Sequence, residues 1–389
     1  MIEVLRNGTG ALGGAVPRDR LMWEVERVAD LVRRQQTPAS PLAPAPAVDL
    51  APLGALWPLT LDGADPADRA APPAPAAGME SQLLQLAAEL FRAPPNWWGR
   101  VMPGTYEATT AALHAASCEH PGAMVYCTAD TVAVARAVST AGMPAQLIAT
   151  LPTGEMDYDD LARRLLTYGH RPAVIVANVG STTSESVDDV TRIALLCRDL
   201  NVTRRWIHAH APLSGLTLAT LPTRARPGFD FADGADSIAI GGQEFLGTPM
   251  GSAILLAAPG DAHGSRTDES WALAFLPRSR HAHATVALWY MLRSLGLPGL
   301  RQIVETALDN ARYAAASLNA SGWPAWRHNH AVTVVMSTPA ARVRHVWELA
   351  AVPGTSHLIC TPALSRRDID DVIAQLTGRT RRAHLTIVR

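Results

Sequence analysis

Short apolar segments alternate with helix-forming segments along the chain from about residue 100. The segment Ala173–Asn178 (AVIVAN) has the nearly unbroken apolar character of a strand that is covered on both faces, as strands of parallel sheets are. Asp157 is suited to cap a helix over 158–168, and Ser186 to cap another over 187–200. Further strands are predicted at 123–128, 145–150, 205–210 and 236–240, with helices at 105–116 and 131–141. Because this alternation is typical of a mostly parallel, doubly wound sheet, we predict an α/β architecture for this part of the chain.

The regions on either side of this sheet predict two further parts. An amphipathic spacing predicts a helix over 18–36, and the Pro- and Ala-rich stretch 37–77 predicts an extended arm, with a flexible linker as the alternative. The remaining elements predicted are helices at 79–91, 283–295, 299–320, 340–349 and 367–376, strands at 323–336, 357–361 and 383–388, and a polar loop at 259–270. We therefore predict an N-terminal helix and arm (1–78), a large domain (79–300) and a small α+β C-terminal domain (301–389).

Charge and hydropathy exclude several classes of partner. The formal net charge is −1, which gives no electrostatic reason to expect nucleic acid. No apolar run reaches about 18 residues, so no membrane span is predicted. The N-terminus lacks the basic-then-apolar order of a signal peptide, and the four cysteines show no close pairing. These features predict a cytoplasmic protein with reduced thiols that binds neither nucleic acid nor membrane.

The chain contains no lysine. All 34 side chains in the combined count of lysine and arginine are arginines, which stay protonated at any usable pH. No side-chain amine can therefore form a Schiff base with a carbonyl compound. Two explanations stay open: the codon bias of a GC-rich genome, which the many Ala, Arg and Pro residues suggest, and avoidance of a reactive carbonyl substrate or product.

A set of short motifs occurs in collinear order between about residues 79 and 336. They are NWWG at 96–99, GEMDYDDL at 154–161, NVGSTT at 178–183, VDD at 187–189, IH at 207–208, LSG at 213–215, SR at 279–280, LWY at 288–290 and GWPAWR at 322–327. In this order the motifs resemble the group II decarboxylases of amino acids that depend on pyridoxal 5′-phosphate (PLP), and in particular the bacterial histidine decarboxylase branch. The resemblance implies fold type I of the PLP enzymes, a small-molecule substrate, and a homodimer with active sites near the subunit interface.

The positions that the resemblance assigns to PLP carry other residue types. Glu244 stands at the Schiff-base lysine, and His210 at the aspartate that holds the pyridine nitrogen protonated. Pro212 replaces a small alanine, Val132 replaces the histidine that stacks on the ring, and Tyr106 replaces a glycine in the turn that helps to hold the phosphate. These replacements predict that the chain uses no PLP and no other cofactor. The residues expected to line the vacated pocket are Gln243, Tyr106, Thr105, Thr182, Val132 and Pro212.

His208, His210 and Glu244 are the predicted catalytic residues. The two histidines are two positions apart on a predicted strand, so their side chains point to the same face. A carboxylate beside His210 would raise its pKa, and the three groups would form an acid–base cluster. We therefore expect a PLP-independent enzyme, lyase- or cyclase-like, acting on a small amine, amino acid or carbonyl derivative, with specialised metabolism as a natural setting.

Two alternatives stay open for the same residues. Two histidines and one carboxylate have the composition of a metal site, so a metal at His208, His210 and Glu244 is one alternative. The other is a decayed pocket, which would make the chain a catalytically inactive decarboxylase homologue acting as a structural or regulatory partner.

Overall fold

The computed structural model describes residues 45–56, 75–129, 132–258, 282–347 and 354–378, together with 19–20, 22–23, 25–27, 349 and 351–352. The chain divides into two units, Met1–Thr37 and Pro38–Arg389. In the first unit the described residues between 19 and 27 are helical, and the Arg27 guanidinium lies 5.5 Å from the centre of the Trp23 ring. The predicted loop at 259–270, the SR motif at 279–280, the strand at 383–388 and most of the arm lie outside the described residues.

A sheet of seven strands forms the centre of the second unit. Its order is β1-β7-β6-β5-β4-β2-β3, in which β2 to β6 are parallel and β7 runs antiparallel to both of its neighbours, β6 and β1. The strands are β1 (Trp98–Met102), β2 (Met124–Thr128), β3 (Ala145–Ile148), β4 (Ala173–Asn178), β5 (Arg205–Ala211), β6 (Ser237–Gly241) and β7 (Ala253–Ala257). The predicted mostly parallel α/β sheet is confirmed.

Helices cover both faces of this sheet, as the apolar strands require. They are α1 (Pro75–Leu90), α2 (Thr105–Glu119), α3 (Val132–Thr140), α4 (Tyr158–Thr167), α5 (Val190–Asp199), α6 (Ser214–Thr220) and α7 (Ala282–Ala320), with short 3-10 helices at Ala51–Leu56, Thr223–Ala225 and Phe231–Asp233. Ile175, Ile207 and Ile238 belong to the core on one face, whereas Val176 and Trp206 belong to the core on the other face, the side of α2 and α3. Successive residues of each central strand thus face opposite layers.

The helix caps show one correct and one wrong prediction. Asp157 caps α4 as predicted, since its carboxylate accepts from the backbone N–H groups of Asp159 and Asp160. Ser186 does not cap α5, because its hydroxyl donates to Ser181 Oγ and the helix begins only at Val190, after the cap residue Asp189. The neighbouring Asp188 carboxylate instead accepts from the backbone N–H groups of Met156 and Asn178 and thereby ties two loops to the end of β4.

A smaller sheet and the second half of α7 form the C-terminal part. α7 is interrupted at Gly296, whose φ of 58° is left-handed, and Pro298 follows. The sheet order is β10-β11-β9-β8, from β8 (Ala325–Trp326), β9 (Thr333–Ser337), β10 (Ala351–Val352) and β11 (Thr355–Ile359), packed with α8 (Ala341–Trp347) and α9 (Arg366–Leu376). No helix in the described segments is long and apolar enough to cross a membrane.

One buried carboxyl group links the large sheet to the small one. Glu185 is fully buried, with Ser214 Oγ donating to its Oε1 at 2.9 Å and the Thr333 backbone N–H donating to its Oε2 at 2.7 Å. Burial raises the pKa of Glu185 to about 7. Its φ of 56° is also unusual for a residue with a side chain. Glu185 therefore fixes the beginning of α6, which follows directly on β5, against β9.

Candidate active site

His208 and His210 lie on β5 with their side chains towards α2. Both are buried, as is Thr109 of α2. Thr109 Oγ1 lies 3.1 Å from His208 Nε2 and 2.8 Å from His210 Nδ1, so that one hydroxyl bridges the two rings. The predicted common face is therefore observed, and it is the face that α2 covers near the carboxyl ends of the parallel strands.

Burial keeps both imidazoles neutral. Removal from water lowers the pKa of His208 to about 3, helped by His210 beside it, and lowers the pKa of His210 to about 4. The expected rise of the His210 pKa is not observed. In the described parts of the chain no hydrogen bond or ion pair joins Glu244 to either histidine, so nothing offsets the loss of hydration.

The hydrogen bonds around His208 and His210 have a fixed direction. Trp206 Nε1 donates to Ser237 Oγ at 2.8 Å, and Ser237 Oγ lies 2.8 Å from His208 Nδ1. Trp206 is donor-only and Ser237 is fully buried, with no other side-chain partner in the described ranges. The Ser237 hydroxyl hydrogen is therefore satisfied only if it is donated to His208 Nδ1.

This direction sets the tautomer of both histidines. His208 then carries its hydrogen on Nε2 and donates it to Thr109, whose hydroxyl donates to His210 Nδ1. His210 is left with its hydrogen on Nε2. The reverse order would leave the Ser237 hydroxyl hydrogen buried without an acceptor, at a cost of about 1–3 kcal/mol. The Trp206–Ser237–His208–Thr109–His210 chain thus ends in an N–H donor.

Glu244 folds over the end of β6. A Cβ atom built on Gly241 would lie 2.1 Å from Glu244 Oε2 and 2.4 Å from the Pro212 carbonyl oxygen, so only glycine fits there. Gly241 is two residues beyond Ala239, which pairs with His210, so the Glu244 carboxyl group lies on the histidine face of the sheet. Its Oε2 is buried and has no hydrogen-bond partner among the residues described. Burial raises the pKa of Glu244 to about 7, although hydrogen bonds from the backbone N–H groups of Glu244 and Gln243 lower it in part.

Asn178 is a further polar residue at this edge, and its side chain was not among the predicted site residues. It ends β4, pairs in register with His210 and is buried. Its Nδ2 donates to Thr128 Oγ1 at 2.7 Å, but its Oδ1 is buried without a partner in the described structure. An unsatisfied buried carbonyl oxygen of this kind is uncommon and marks a place for a ligand or a water molecule. Asn178 and His210 are therefore in register at the carboxyl ends of β4 and β5, and Glu244 follows the carboxyl end of β6.

The other predicted pocket residues are spread more widely. Val132 starts α3 and is 66% exposed, and Thr182 is also exposed. Thr105 begins α2, next to Tyr106, whose hydroxyl is bonded to Thr140 Oγ1 at 2.8 Å. Pro212 and Gln243 are half-buried and flank His210 and Glu244 in the chain. Their role in a pocket stays a prediction.

The metal alternative finds no support in the geometry. Among the residues that the structure describes, no group of three or more His, Cys, Asp or Glu side chains is placed to hold a metal ion. Nδ1 of both histidines and Nε2 of His208 are engaged by hydroxyl groups.

The fold and the place of this site define a class of protein. A seven-stranded, mostly parallel sheet with a polar cluster at the carboxyl ends of its central strands, followed by a small α+β part, is fold type I of the PLP-dependent decarboxylases. L-Methionine decarboxylase from Streptomyces sp. 590 matches with a TM-score of 0.80 at 18% identity, over 96% of this chain and 97% of that chain. TDC from Oryza sativa with PLP and tryptamine matches with a TM-score of 0.76 at 16% identity, over 97% and 91%.

Sequence relatives identify the family. A histidine decarboxylase from Mesorhizobium japonicum is 34% identical over 309 residues, which are 78% of this chain and 82% of that protein. A histidine decarboxylase from Pseudomonas entomophila is 32% identical over 308 residues, 76% of each chain. No protein-family model matches. The chain belongs to the histidine decarboxylase family.

These relatives correct three expectations from the sequence. The PLP-independent enzyme, the absence of a cofactor and the catalytically inactive homologue are all wrong, because the relatives at 30–34% identity are named decarboxylases and a structure of the same fold contains PLP. The error arose because a few replaced side chains do not determine the cofactor of a chain that is 30–34% identical to decarboxylases over more than three quarters of its length. An enzyme with a small-molecule substrate is what the comparisons support.

The residues present do not fit PLP bound in the usual way. PLP enzymes hold the cofactor as a Schiff base with a lysine amine, and this sequence contains no lysine. The site instead presents a carboxyl oxygen at Glu244, a neutral N–H group at His210 and a carbonyl oxygen at Asn178. None of these groups can form an imine with an aldehyde, so PLP is not attached covalently to a side chain of this chain.

Proposed function

We propose that this chain is an amino-acid decarboxylase that acts on a small amino acid, with histidine as the first candidate substrate and with PLP held without a covalent bond to a side chain. The observation that carries the proposal is the identity of 34% over 309 residues with a histidine decarboxylase. That likeness covers 78% of this chain and 82% of the relative, and it favours the same class of reaction.

The proposal includes a divergence within the family. Glu244 would occupy the position of the Schiff-base lysine, and His210 that of the aspartate beside the pyridine nitrogen. The chain contains no lysine, so no other side chain could supply the amine that the family has at this position.

We assign roles to the chain's own residues on the basis of their placement. His210 and Glu244 would contact the bound molecule, because one ends the hydrogen-bonded chain and the other carries an unpartnered oxygen. His208 is a positioning residue, since both of its ring nitrogens are bonded to hydroxyl groups. Gln243, Thr105, Tyr106, Thr182, Val132 and Pro212 would form the walls of the pocket.

The proposal also includes a homodimer and a division into an N-terminal helix and arm, a large domain and a small domain. The described part of the arm contacts the large domain, because the Ala47 backbone N–H donates to the carbonyl oxygen of Leu246, two residues after Glu244, at 2.8 Å. Light scattering after size-exclusion chromatography measures the oligomeric state directly.

The test is decarboxylation by the purified protein. L-Histidine, L-methionine and L-tryptophan are each incubated with the protein, with and without added PLP, and the amine product and carbon dioxide are measured. The matched control is the His210→Ala protein under the same conditions. We expect an amine product from at least one amino acid, dependent on PLP and on His210. If the protein with saturating PLP forms no more amine than the same concentration of PLP without protein, the proposal is wrong.

A further inference from the structure

The polar groups at the carboxyl edge of the sheet have a definite hydrogen-bond polarity. At β5 the Trp206–Ser237–His208–Thr109–His210 chain ends in the His210 Nε2–H donor. Beyond β6 the Glu244 carboxyl group is ionised above about pH 7, and its Oε2 atom is then an acceptor, buried and without a partner among the described residues. A ligand that satisfies both must bring an acceptor to one end and a donor to the other.

The aldehyde form of the cofactor does not match this polarity. The aldehyde of PLP is a hydrogen-bond acceptor and would face another acceptor at Glu244, with no amine present to convert it into an imine. A primary ammonium group in the same place brings three donors and a positive charge. An unprotonated ring nitrogen, in turn, accepts from His210, which is neutral.

We propose that this pocket binds a heteroaromatic amine, with an unprotonated ring nitrogen on His210 and a primary ammonium group on Glu244, in preference to an aldehyde. The inference rests on the proposed function, because it names the form of cofactor or product that the same pocket holds. Two sources supply this chemistry: the amine form of the cofactor, pyridoxamine 5′-phosphate, and the amine product of the reaction, for which histamine is the probe.

Electrostatics favour the amine. Burial disfavours the charge on Glu244, and in the described segments no arginine or histidine pairs with it to offset that cost. The titratable groups on the adjacent strand, His208 and His210, are neutral above about pH 5 because burial lowers the pKa of each. An incoming ammonium ion would be the missing counter-charge, and charge-assisted hydrogen bonds are the strong ones. Asn178 Oδ1, buried and also unpartnered, offers a second acceptor in register with His210.

Isothermal titration calorimetry at pH 8 tests the preference with matched ligands. Pyridoxamine 5′-phosphate is compared with pyridoxine 5′-phosphate, which has a hydroxyl in place of the amine, with PLP, and with histamine. We expect the amine form to bind at least about tenfold more tightly than pyridoxine 5′-phosphate, the effect of one charge-assisted hydrogen bond. Glu244→Gln should remove this preference, whereas Glu89→Gln, at an exposed position on α1, should retain it.

Each outcome decides one point. Tight binding of pyridoxamine 5′-phosphate identifies the cofactor as the source of the amine, and tight binding of histamine alone identifies the product. Equal affinity for the amine and hydroxyl forms, or a preference that survives Glu244→Gln, overturns the inference. If the protein prefers the amine but decarboxylates no amino acid, the proposed function is wrong and this inference holds. If it decarboxylates an amino acid but shows no preference for the amine, this inference is wrong and the proposed function holds.

Discussion

His208 and His210 share one hydroxyl group, that of Thr109, which lies 3.1 Å from Nε2 of the first ring and 2.8 Å from Nδ1 of the second. A hydroxyl has a single hydrogen, so it can donate to only one of the two rings and must accept from the other. The protonation of each histidine is therefore tied to that of its neighbour. This relationship is the basis of the first two predictions.

Both histidines should carry their hydrogen on Nε2. We expect long-range ¹H–¹⁵N spectra of histidine-labelled protein to show the Nε2–H tautomer for His208 and His210. The signals should not change between about pH 6 and pH 8, because burial lowers the two pKa values to about 3 and 4. Assignment comes from the His208→Gln and His210→Gln proteins. A hydrogen on Nδ1 of His210 would contradict the direction that we derive for the chain.

Replacing Thr109 should destabilise the protein mainly through the two rings. In Thr109→Val, His208 Nε2–H and His210 Nδ1 lose their common partner while the side-chain shape is kept. We expect a loss of about 2–4 kcal/mol in the free energy of unfolding, the cost of two buried unsatisfied groups. Thr109→Ser keeps the hydroxyl and should lose clearly less. Urea unfolding measures both, and equal losses would show that the methyl group matters more than the hydrogen bonds.

Glu244→Gln should stabilise the ligand-free protein at high pH only. Burial raises the Glu244 pKa from its ordinary value of 4.5 to about 7 in the folded state. A raised carboxyl pKa contributes stability below pH 4.5, and that contribution is lost as the pH rises through 7. The amide cannot ionise, so the variant should exceed the unmodified protein by about 3 kcal/mol at pH 8 and match it near pH 4.5. Unfolding curves at the two pH values measure this, and a difference that does not depend on pH would disprove it.

Introducing a single amine at position 244 should create a covalent PLP site. Glu244→Lys would be the one lysine of the chain, and its unprotonated form can attack the aldehyde. We expect the visible absorbance of a Schiff base on addition of PLP, and a single PLP-labelled peptide containing residue 244 after reduction with borohydride. Glu244→Met is the control of similar length without an amine. Labelling elsewhere, or none, would place the cofactor away from the end of β6.

Glu185 should matter through its contacts and not through its charge. Glu185→Ala leaves the Ser214 hydroxyl and the Thr333 N–H without their acceptor, and we expect it to cost about 2–4 kcal/mol of unfolding free energy. Glu185→Gln retains an acceptor for Thr333 and a polar partner for Ser214, so its cost should be about 1 kcal/mol or less. Thermal unfolding of the two variants measures the difference, and similar losses would point to the backbone at φ 56° as the important feature.

Much of the fold follows from local sequence. β4 was predicted with its observed bounds, and β5 and β6 to within one residue at either end, because buried parallel strands are continuous apolar segments. β1 was missed, since Trp98–Met102 is a short edge strand whose partner β7 lies about 150 residues later in the chain. The start of α5 was misplaced because the Asp188 carboxylate is used by two loops, which no local pattern records.

The site was predicted less completely than the fold. Strand periodicity placed His208 and His210 on one face, but the hydroxyl between them belongs to Thr109, 99 and 101 positions away. Ser237 and Asn178 are ordinary residues in the sequence and gain their importance only from the register of β4, β5 and β6. The burial that lowers the histidine pKa values also depends on how α2 packs on the sheet, and no spacing in the sequence encodes it.

The direction of the hydrogen-bonded chain gives Ser237 an influence on molecules that it never touches. A ligand that offers a donor to His210 can be accommodated only by reversing every hydroxyl and imidazole up to Ser237, and this reversal leaves the serine hydrogen without an acceptor. Selectivity between acceptor and donor ligands is therefore set by Ser237, at the buried end of this series of hydrogen bonds and beside Trp206. Ser237→Ala would remove this constraint. The pocket would then no longer discriminate between acceptor and donor ligands, although the residues that line it would be unchanged.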